Sequence, residues 1–453
     1  MRYAFLLAAL VLVSGASAQP VLTSVSADTA VVHGNTLTIT GTGFGAKDQA
    51  APMAWDDFQE GTPAEPGEAG AGNWITRENS IWNGISASVT RQPYWSSGRQ
   101  RVDGDICALL DYPGQYPESN KGVRYSTDAG QGHRAWYVSF WCYQDDWMDT
   151  ALNCENAKVY GNYSSSRWVP SNGHEGINFR WDEYWSGPGG HMFGYTCDVG
   201  RQEVTGVYHN NLDKWTRVER WLDMGNIDVA NGYHAGSQDL QIRGAWSGQL
   251  RFSSCGDDTV YAESCVIGHF FNRQNGAAMR LYISELYMDN SFARVELGNA
   301  PTWAACTHRE IQIPSAWSAT EITVTVNQGA FEAEDDVWLY VVDENRVNNS
   351  VGYPLVIGGE PASEPEQVGI PGPVIFDGEE ASVSWTAPVD LGVPAYYGVY
   401  LVKDGVERRV GSTPATYMDR IPAENGMGLY VVAHNALGQV FSRSETVEVV
   451  EWR

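Results

Sequence analysis

Apolar and polar positions alternate with a period of two along most of this chain. At residues 36–40, Leu37 and Ile39 alternate with Thr36, Thr38 and Thr40, the mark of a strand with one buried face. Gly41, Gly43 and Gly45 then end the run. Comparable runs fall at 21–26, 310–326, 336–342 and 349–357. Between 55 and 290 the clearest are 135–143, 176–185, 215–223 and 249–253. Stretches rich in Gly, Asn, Ser and Pro, such as 60–72 and 185–190, separate them. No segment carries the repeat of a long helix. The pattern predicts an all-β protein of several domains.

Strand alternation also separates faces. In 135–143, Trp136, Val138, Phe140 and Cys142 share one face, and Tyr137, Ser139, Trp141 and Tyr143 the other. In 176–185, Ile177, Phe179, Trp181, Glu183 and Trp185 oppose Asn178, Arg180, Asp182 and Tyr184. In 215–223, Thr216, Val218, Arg220 and Leu222 oppose Trp215, Arg217, Glu219, Trp221 and Asp223. Each strand thus has one mainly apolar face and one that mixes aromatic rings with charged or amide groups. Sugars stack their CH faces on Tyr and Trp, and their hydroxyls take paired hydrogen bonds from Asp, Asn and Arg. A groove lined by Tyr137, Trp141, Tyr143, Asn178, Arg180, Asp182, Tyr184, Trp215, Arg217, Glu219 and Trp221 is therefore the predicted ligand-binding surface. A sandwich's outer face is polar as well, so a plain solvated face is the competing reading.

The strand ending in Gly41-Thr-Gly-Phe-Gly45 resembles the first half of an IPT/TIG domain, an immunoglobulin-like module of surface and secreted proteins. The pattern at 310–357 is similar to the closing strands of that family. The resemblance implies one IPT-like domain, split into 19–54 and 293–358 by an insertion at 55–292. The inserted stretch reads as strands at both ends and resembles a concanavalin A-like (laminin-G or glucanase-type) jelly roll. A linker at 359–370 follows, and 371–453 resembles a fibronectin type III module. There Trp385 matches the core Trp, Tyr430 the corner Tyr of the penultimate strand, and 435–438 a characteristic turn. The expected architecture is a large jelly-roll sandwich with two immunoglobulin-like sandwiches.

Charge and leader narrow the setting. The formal net charge of −26 over 453 residues repels nucleic acid and anionic lipid, so neither is an expected partner. Arg2, the apolar run 4–13 and Ala16-Ser17-Ala18 read as a signal peptide at 1–18. No later apolar run reaches the length of about eighteen residues that a membrane span needs. The expectation is a secreted or surface protein without a transmembrane segment. Export permits disulfides. Cys142 with Cys154 and Cys255 with Cys265 are the expected local pairs, while the pairing of Cys107, Cys197 and Cys306 stays open. No Cys-x-x-Cys occurs, so a zinc ribbon is not expected.

Catalytic chemistry is harder to read. The glucanase-type Glu-x-Asp-x-x-Glu strand is absent, and Asp182 and Glu183, being adjacent, point to opposite faces. The Gly-rich run at 41–45 lacks the helix a nucleotide loop requires. His174-Glu-Gly lacks the second His of a zinc-protease helix, and no Gly-x-Ser-x-Gly elbow occurs. The run Lys214 to Asn226, with the turn at 230–232, is similar to a strand and turn of jelly-roll polysaccharide lyases and of their non-enzymatic relatives. β-Elimination needs a group that neutralises a uronate carboxylate and a Tyr or His to move the proton. Asn178, Arg180 and Tyr184, with His133 or His174, are the candidates. The Gln-x-His and Tyr-x-Lys-x-Gly patterns of alginate lyases are absent. Concanavalin-like domains tie their first and last strands with a cation, which implies a structural calcium at Asp56, Asp57 and Asp289. Solvated acids at a domain junction are the alternative. Three functions follow in order: glycan binding, a polysaccharide lyase in the same groove, and a non-catalytic structural or adhesive component.

Overall fold

The computed structural model describes residues 19–66, 68–76, 80, 84–85, 93–112, 123–126, 132–145, 154–163, 178–184, 190–196, 200–208, 214–251, 262, 264–273, 279–359, 375–376, 380–385, 396–404, 406–434, 440–443 and 447–449. At 154–163, 178–184, 190–196 and 200–208 the description is of the strand backbone. The protein is nearly all β, and every strand pairing between its elements is antiparallel. Among the described residues no helix is long and apolar enough to cross a membrane.

One seven-stranded sheet is built from two distant parts of the chain. Its order is Val21–Ala27, Thr36–Thr42, Glu321–Thr325, Arg309–Trp317, Arg294–Gly298, Asp336–Val342 and Tyr353–Val356. The alternation at 36–40 sets the register: Leu37 stands opposite Val324, and Ile39 opposite Ile322. These four join Val25, Phe44, Val295, Leu297, Val337, Leu339 and Val341 in one core. Gly41 is required where the first two strands close on Phe44. A Cβ there would lie 2.1 Å from the Val21 carbonyl and 2.6 Å from the Phe44 ring.

Between Thr42 and Arg294 the chain forms a large two-sheet sandwich. One sheet has the order Gln241–Gly248, Gly232–Gln238, Thr216–Asp223, Ala135–Asp145, Met279–Asp289, Cys107–Tyr112, Tyr94–Ser96, with Ala54–Asp56 also on Met279–Asp289. The other has the order Gly200–Tyr208, Gly190–Thr196, Asn178–Tyr184, Cys154–Tyr163, Ser264–Arg273, Val123–Ser126 and Gly84–Ile85. Trp136, Val138, Phe140, Cys142, Val218 and Leu222 of the first sheet meet Cys265 and Ile267 of the second in a shared core. The insert's two ends are adjacent, since Asp56 pairs with Leu286 and Ala54 with Met288.

Downstream, Ile375–Phe376, Glu380–Ser384 and Tyr417–Pro422 form a small sheet. Tyr396–Lys403, Val406–Thr413, Gly428–His434, Val440–Arg443 and Val447–Glu448 form a second. Trp385 is buried against the edge of Tyr397, with ring centroids 5.2 Å apart. Tyr430 stacks on Tyr400, and its hydroxyl donates to Glu407 at 2.8 Å. The turn at 435–438 lies outside the described residues.

Two expectations need correction. Within 249–253, Gln249 and Leu250 are not strand, and Arg251 makes only an isolated bridge to Ile227. The hairpin Gly232–Gln238 with Gln241–Gly248 already supplies the sheet edge there. The expected disulfides of Cys142 with Cys154 and Cys255 with Cys265 are not made, and no disulfide occurs among the described residues. Cys142 and Cys265 sit inside the sandwich core. Cys142 stands between Thr216 and Ile283 in one sheet, whereas Cys154 starts a strand of the other. Cys255 lies outside the described residues.

Leu37→Ala empties a fully buried site between the two halves of the split sheet. Urea unfolding followed by tryptophan fluorescence is expected to show a loss of about 2–5 kcal/mol.

Candidate functional site

The strands Ala135–Asp145 and Thr216–Asp223 are direct neighbours, with Tyr137 opposite Trp221 and Ser139 opposite Glu219. The mixed faces read from the sequence therefore do lie together on one side of one sheet. That side is not open to a ligand, because the split sheet lies against it. Arg217 is 2 % exposed, Glu219 1 % and Tyr137 0 %. The Arg217 guanidinium donates to Glu296 at 2.9 Å and to the Arg309 carbonyl at 2.6 Å, and its Nε donates to the Ser139 hydroxyl at 3.1 Å. The Tyr137 hydroxyl donates to Glu219 at 2.7 Å, and Ser237 donates to the other Glu219 oxygen at 2.9 Å. Glu296 also accepts from Arg294 at 2.6 Å and Arg309 at 3.0 Å. Arg294 lies 4.4 Å over the Tyr137 ring. Trp221 packs with Tyr137, Tyr287, Phe292 and Ile311 in a cluster shared by both units.

The burial of Tyr137, Arg217, Glu219 and Trp221 beneath the split sheet removes them as ligand contacts, and Trp141, half-buried, is taken up by groups of the split sheet. Trp141 donates its Nε1 to Glu310 at 3.3 Å and stacks on His308 with centroids 5.3 Å apart. Sequence reasoning missed the partners, Arg294, Glu296, Arg309 and Glu310. Their signal was present. In Arg294-Val-Glu-Leu-Gly298, Val295 and Leu297 enter the split sheet's core while Arg294 and Glu296 meet the sandwich.

The electrostatics follow from burial. Burial alone would raise Glu296, but Arg217, Arg309 and Arg294 hold its carboxyl well below the ordinary carboxylate range. Burial opposes ionisation of Glu310 too, and Arg101 and His308 hold it ionised. Arg101 bridges Glu310, at 2.6 Å, to Glu285. Glu285 behaves oppositely: burial, then the Glu310 charge, push it up to about 8. Lys47 is lowered by burial against the pull of Asp289, with which it forms an ion pair of 2.7 Å.

Tyr143 and Trp215 are the members of this sheet's predicted set that lie away from the dock. They are half-buried and meet edge to face at 5.8 Å. Arg99 lies 5.2 Å over Tyr143 and donates to Asp145 at 2.9 Å.

Asn178, Arg180, Asp182 and Tyr184 belong to the other sheet, so they share no groove with Arg217 and Trp221. The backbone register places them. Phe179 aligns with Asn162 and, through it, with Cys265; Trp181 aligns with Tyr160 and Ile267. Cys265 and Ile267 are core residues, so those rows form the core side. The intervening rows align Asn178 with Tyr163 and Tyr195, Arg180 with Gly161 and Phe193, and Asp182 with Lys158 and His191; on the same rows of the neighbouring strand, Ser264 and Val266 are buried. Tyr184 stands opposite Asn156.

His133 is half-buried, with its ring edge-on to Trp136 and its Nδ1 3.3 Å from the Asn290 amide. Burial lowers its pKa. It makes an isolated antiparallel bridge to Ala262. His174 lies outside the described residues. Of the expected cation ligands, Asp56 and Asp57 come together, with Glu60 as their third carboxylate. Asp289 does not join them, because its Oδ2 is held by Lys47 and by the Tyr287 hydroxyl at 2.7 Å. Two aspartates and a glutamate are hard oxygen donors of the kind calcium takes.

Two outcomes are expected from the buried network. Glu296→Gln leaves three buried guanidinium groups short of a carboxylate and lowers unfolding free energy by about 3–5 kcal/mol, read by denaturant titration. The pH profile of the melting temperature falls on both sides. Glu296 and Glu310 have depressed pKa values, so their stability is present above the ordinary value of 4.5 and is lost as pH drops below it. Glu285 is raised, so its contribution is lost as pH climbs through about 8. Glu285→Gln is expected to flatten the alkaline side alone.

No protein-family model matches the chain, and no curated protein matches it. Among solved structures, an endo-β-1,4-glucuronan lyase from the fungus Trichoderma reesei is similar at 9% identity and a TM-score of 0.36, over 53% of this chain and 97% of that one. The alginate lyase Aly36B is similar at 11% identity and a TM-score of 0.38, over 50% of this chain and 98% of that one. A botulinum neurotoxin type C structure is similar at 7% identity and a TM-score of 0.28, over 75% of this chain and 85% of that one.

Proposed function

We propose that the protein is an exported glycan-binding protein that takes a polysaccharide or surface glycan on the sheet that holds Asn178–Tyr184. The observation that carries this reading is the register of that sheet. Its backbone register sets Asn178, Arg180, Asp182 and Tyr184 at alternate positions of one strand, abreast of Tyr163, Tyr195, Lys158 and His191. Aromatic, amide, guanidinium and carboxylate groups in adjacent rows suit the CH faces and hydroxyls of a sugar chain. In this reading the split sheet is an IPT-like mount and the C-terminal sandwich a type III-like spacer. A calcium ion at Asp56, Asp57 and Glu60 would brace the strand by which the sandwich leaves its mount.

A second reading, β-elimination on a polyuronate, draws on the row of Asp182 with Lys158 and His191 and the nearby Tyr184. Lys158 or Arg180 would neutralise the uronate carboxylate, and Tyr184 or His191 would move the proton.

Affinity electrophoresis through gels carrying neutral and acidic polysaccharides tests both. The wild-type protein is expected to be retarded by at least one glycan. Arg180→Ala with Tyr184→Ala should weaken that retention by about tenfold or more, since each lost contact is worth roughly 1 kcal/mol. Unchanged retention in the double variant would remove this face from the proposal. Growth of the absorbance of an unsaturated uronate on a polyuronate substrate establishes the lyase.

A further inference from the structure

Lys47 and Asp289 meet where the chain enters and leaves the sandwich. Lys47 follows the glycine-rich turn at 41–45 of the split sheet, and Asp289 ends the last strand of the insert. Their side chains are 0 % and 1 % exposed, with Nζ 2.7 Å from Oδ2. The Tyr287 hydroxyl donates to the same Oδ2 at 2.7 Å and lies 3.4 Å from Nζ. Nitrogen, hydroxyl and carboxyl thus close a triangle. The Ala50 carbonyl accepts from Nζ at 2.7 Å, and the Trp317 ring centre stands 5.4 Å from it. Trp317 ends the strand Arg309–Trp317, so the split sheet supplies one wall and the sandwich the other.

This pair differs from the buried ions of the dock. Glu296 takes three guanidinium groups, and they hold it ionised. At Lys47, burial outweighs the pull of Asp289 and lowers the pKa of the ammonium. At Asp289, burial outweighs Lys47, Tyr287 and the Asn290 amide and raises the pKa of the acid. Both groups therefore move toward their neutral forms. An uncharged amine has a free lone pair, and an uncharged carboxyl is an electrophile. Arg in place of Lys would keep its proton and could not attack. In water the hydrated ions are more stable than the amide they could form. Burial removes that hydration and leaves no bulk water to reverse a condensation.

We propose that Lys47 and Asp289 condense to an intramolecular amide, which makes this junction a site of covalent self-modification. A proton first passes from Nζ to the carboxylate along their 2.7 Å contact. Nζ then attacks Cγ. A C–O bond adds about 1.2 Å to that contact, so Cγ lies within about 4 Å of the nitrogen. The Nζ–Cγ bond forms and the Cγ–Oδ2 bond breaks. Tyr287 relays the second proton, since its hydroxyl gives one to Oδ2 and takes one from the nitrogen. Oδ2 leaves as water with the two protons that the ammonium has lost. Ammonium and carboxylate thus become amide and water, and nothing is oxidised or reduced. Tyr287 is fully buried, and burial with the Asp289 charge keeps its hydroxyl protonated and able to give. The Ala50 carbonyl takes the one N–H that the amide retains. The fixed contact of the partners supplies the high effective concentration that the step needs.

The amide closes a covalent ring that runs from Lys47 to Asp289 and contains the sandwich. It ties the entering segment to the leaving strand beside the pairing of Ala54–Asp56 with Met279–Asp289. Tension between the two halves of the split sheet is then carried by this tie and bypasses the sandwich. A single cut inside the ring leaves both pieces joined. None of this depends on where a glycan binds.

The test is the intact mass of the denatured full chain, with peptide mapping after trypsin. The wild-type protein is expected to be lighter than its sequence by one water. Its digest should hold a branched peptide that joins the segments of Lys47 and Asp289, with no cleavage after Lys47. Lys47→Arg keeps the charge but cannot attack, so it should have its full mass. Asp289→Asn should lose ammonia in place of water and give the same branched amide. Tyr287→Phe, followed by mass in freshly translated chain, should close the bond at least about tenfold more slowly. An equal rate there overturns the relay. A full mass in wild-type protein that melts cooperatively overturns the proposal and leaves an ion pair only. So does a water lost equally from Lys47→Arg, which places the loss elsewhere. The branched wild-type peptide establishes the bond whether or not the variants fold.

Discussion

The arrangement of this protein depends on charges buried between two β units. Arg217 leaves the sandwich to meet Glu296 and the Arg309 carbonyl of the split sheet, with hardly any of it exposed to water. Stripping water from several ions costs several kcal/mol each, and only close, well-directed partners offset it. The network supplies them from both sides, with Glu219, Tyr137 and Ser139 on one and Glu296, Arg294 and Arg309 on the other. Apolar contact of Trp221, Tyr287, Phe292 and Ile311 fills the space around it. Such a junction tolerates one relative placement and penalises sliding, because any shift leaves an ion without its partner.

Much of the fold was legible, for a simple reason. A period of two with apolar residues inside is a strong local signal, and 36–40, 135–143 and 336–342 all carry it. The division of faces in 135–143 and 215–223 was equally plain, and the structure brings those two mixed faces together. What covers a face was not legible. A polar, aromatic strand face looks the same whether it meets a sugar, water or another sheet, and Tyr137, Arg217 and Trp221 meet a sheet. The complement lay in Arg294-Val-Glu-Leu-Gly298, five residues whose charges suggest a junction more than a central strand. Asp289 was likewise misjudged, since its nearness to the insert's end said nothing of Lys47, distant in sequence. The disulfide expectation failed on the same ground, as short spacing along the chain placed Cys142 and Cys154 in different sheets.

The dock continues at Arg101. Arg101 links Glu285 of the sandwich to Glu310 of the split sheet, so the protonation of Glu285 and the docking of the two units share a side chain. Glu310 in turn takes the Trp141 indole and the Ala330 amide. A change of charge at Glu285 is therefore felt on both sides of the junction.

The closeness of the insert's two ends bears on how the chain comes to be folded at all. Thr42 and Arg294 must be brought to one sheet across roughly 250 residues, and closing so long a flexible loop costs about 3 kcal/mol more than closing one of about ten. Once Ala54–Asp56 has paired with Met279–Asp289, that distance is already spanned. Pairing within the insert thus shortens the loop that the split sheet has to close.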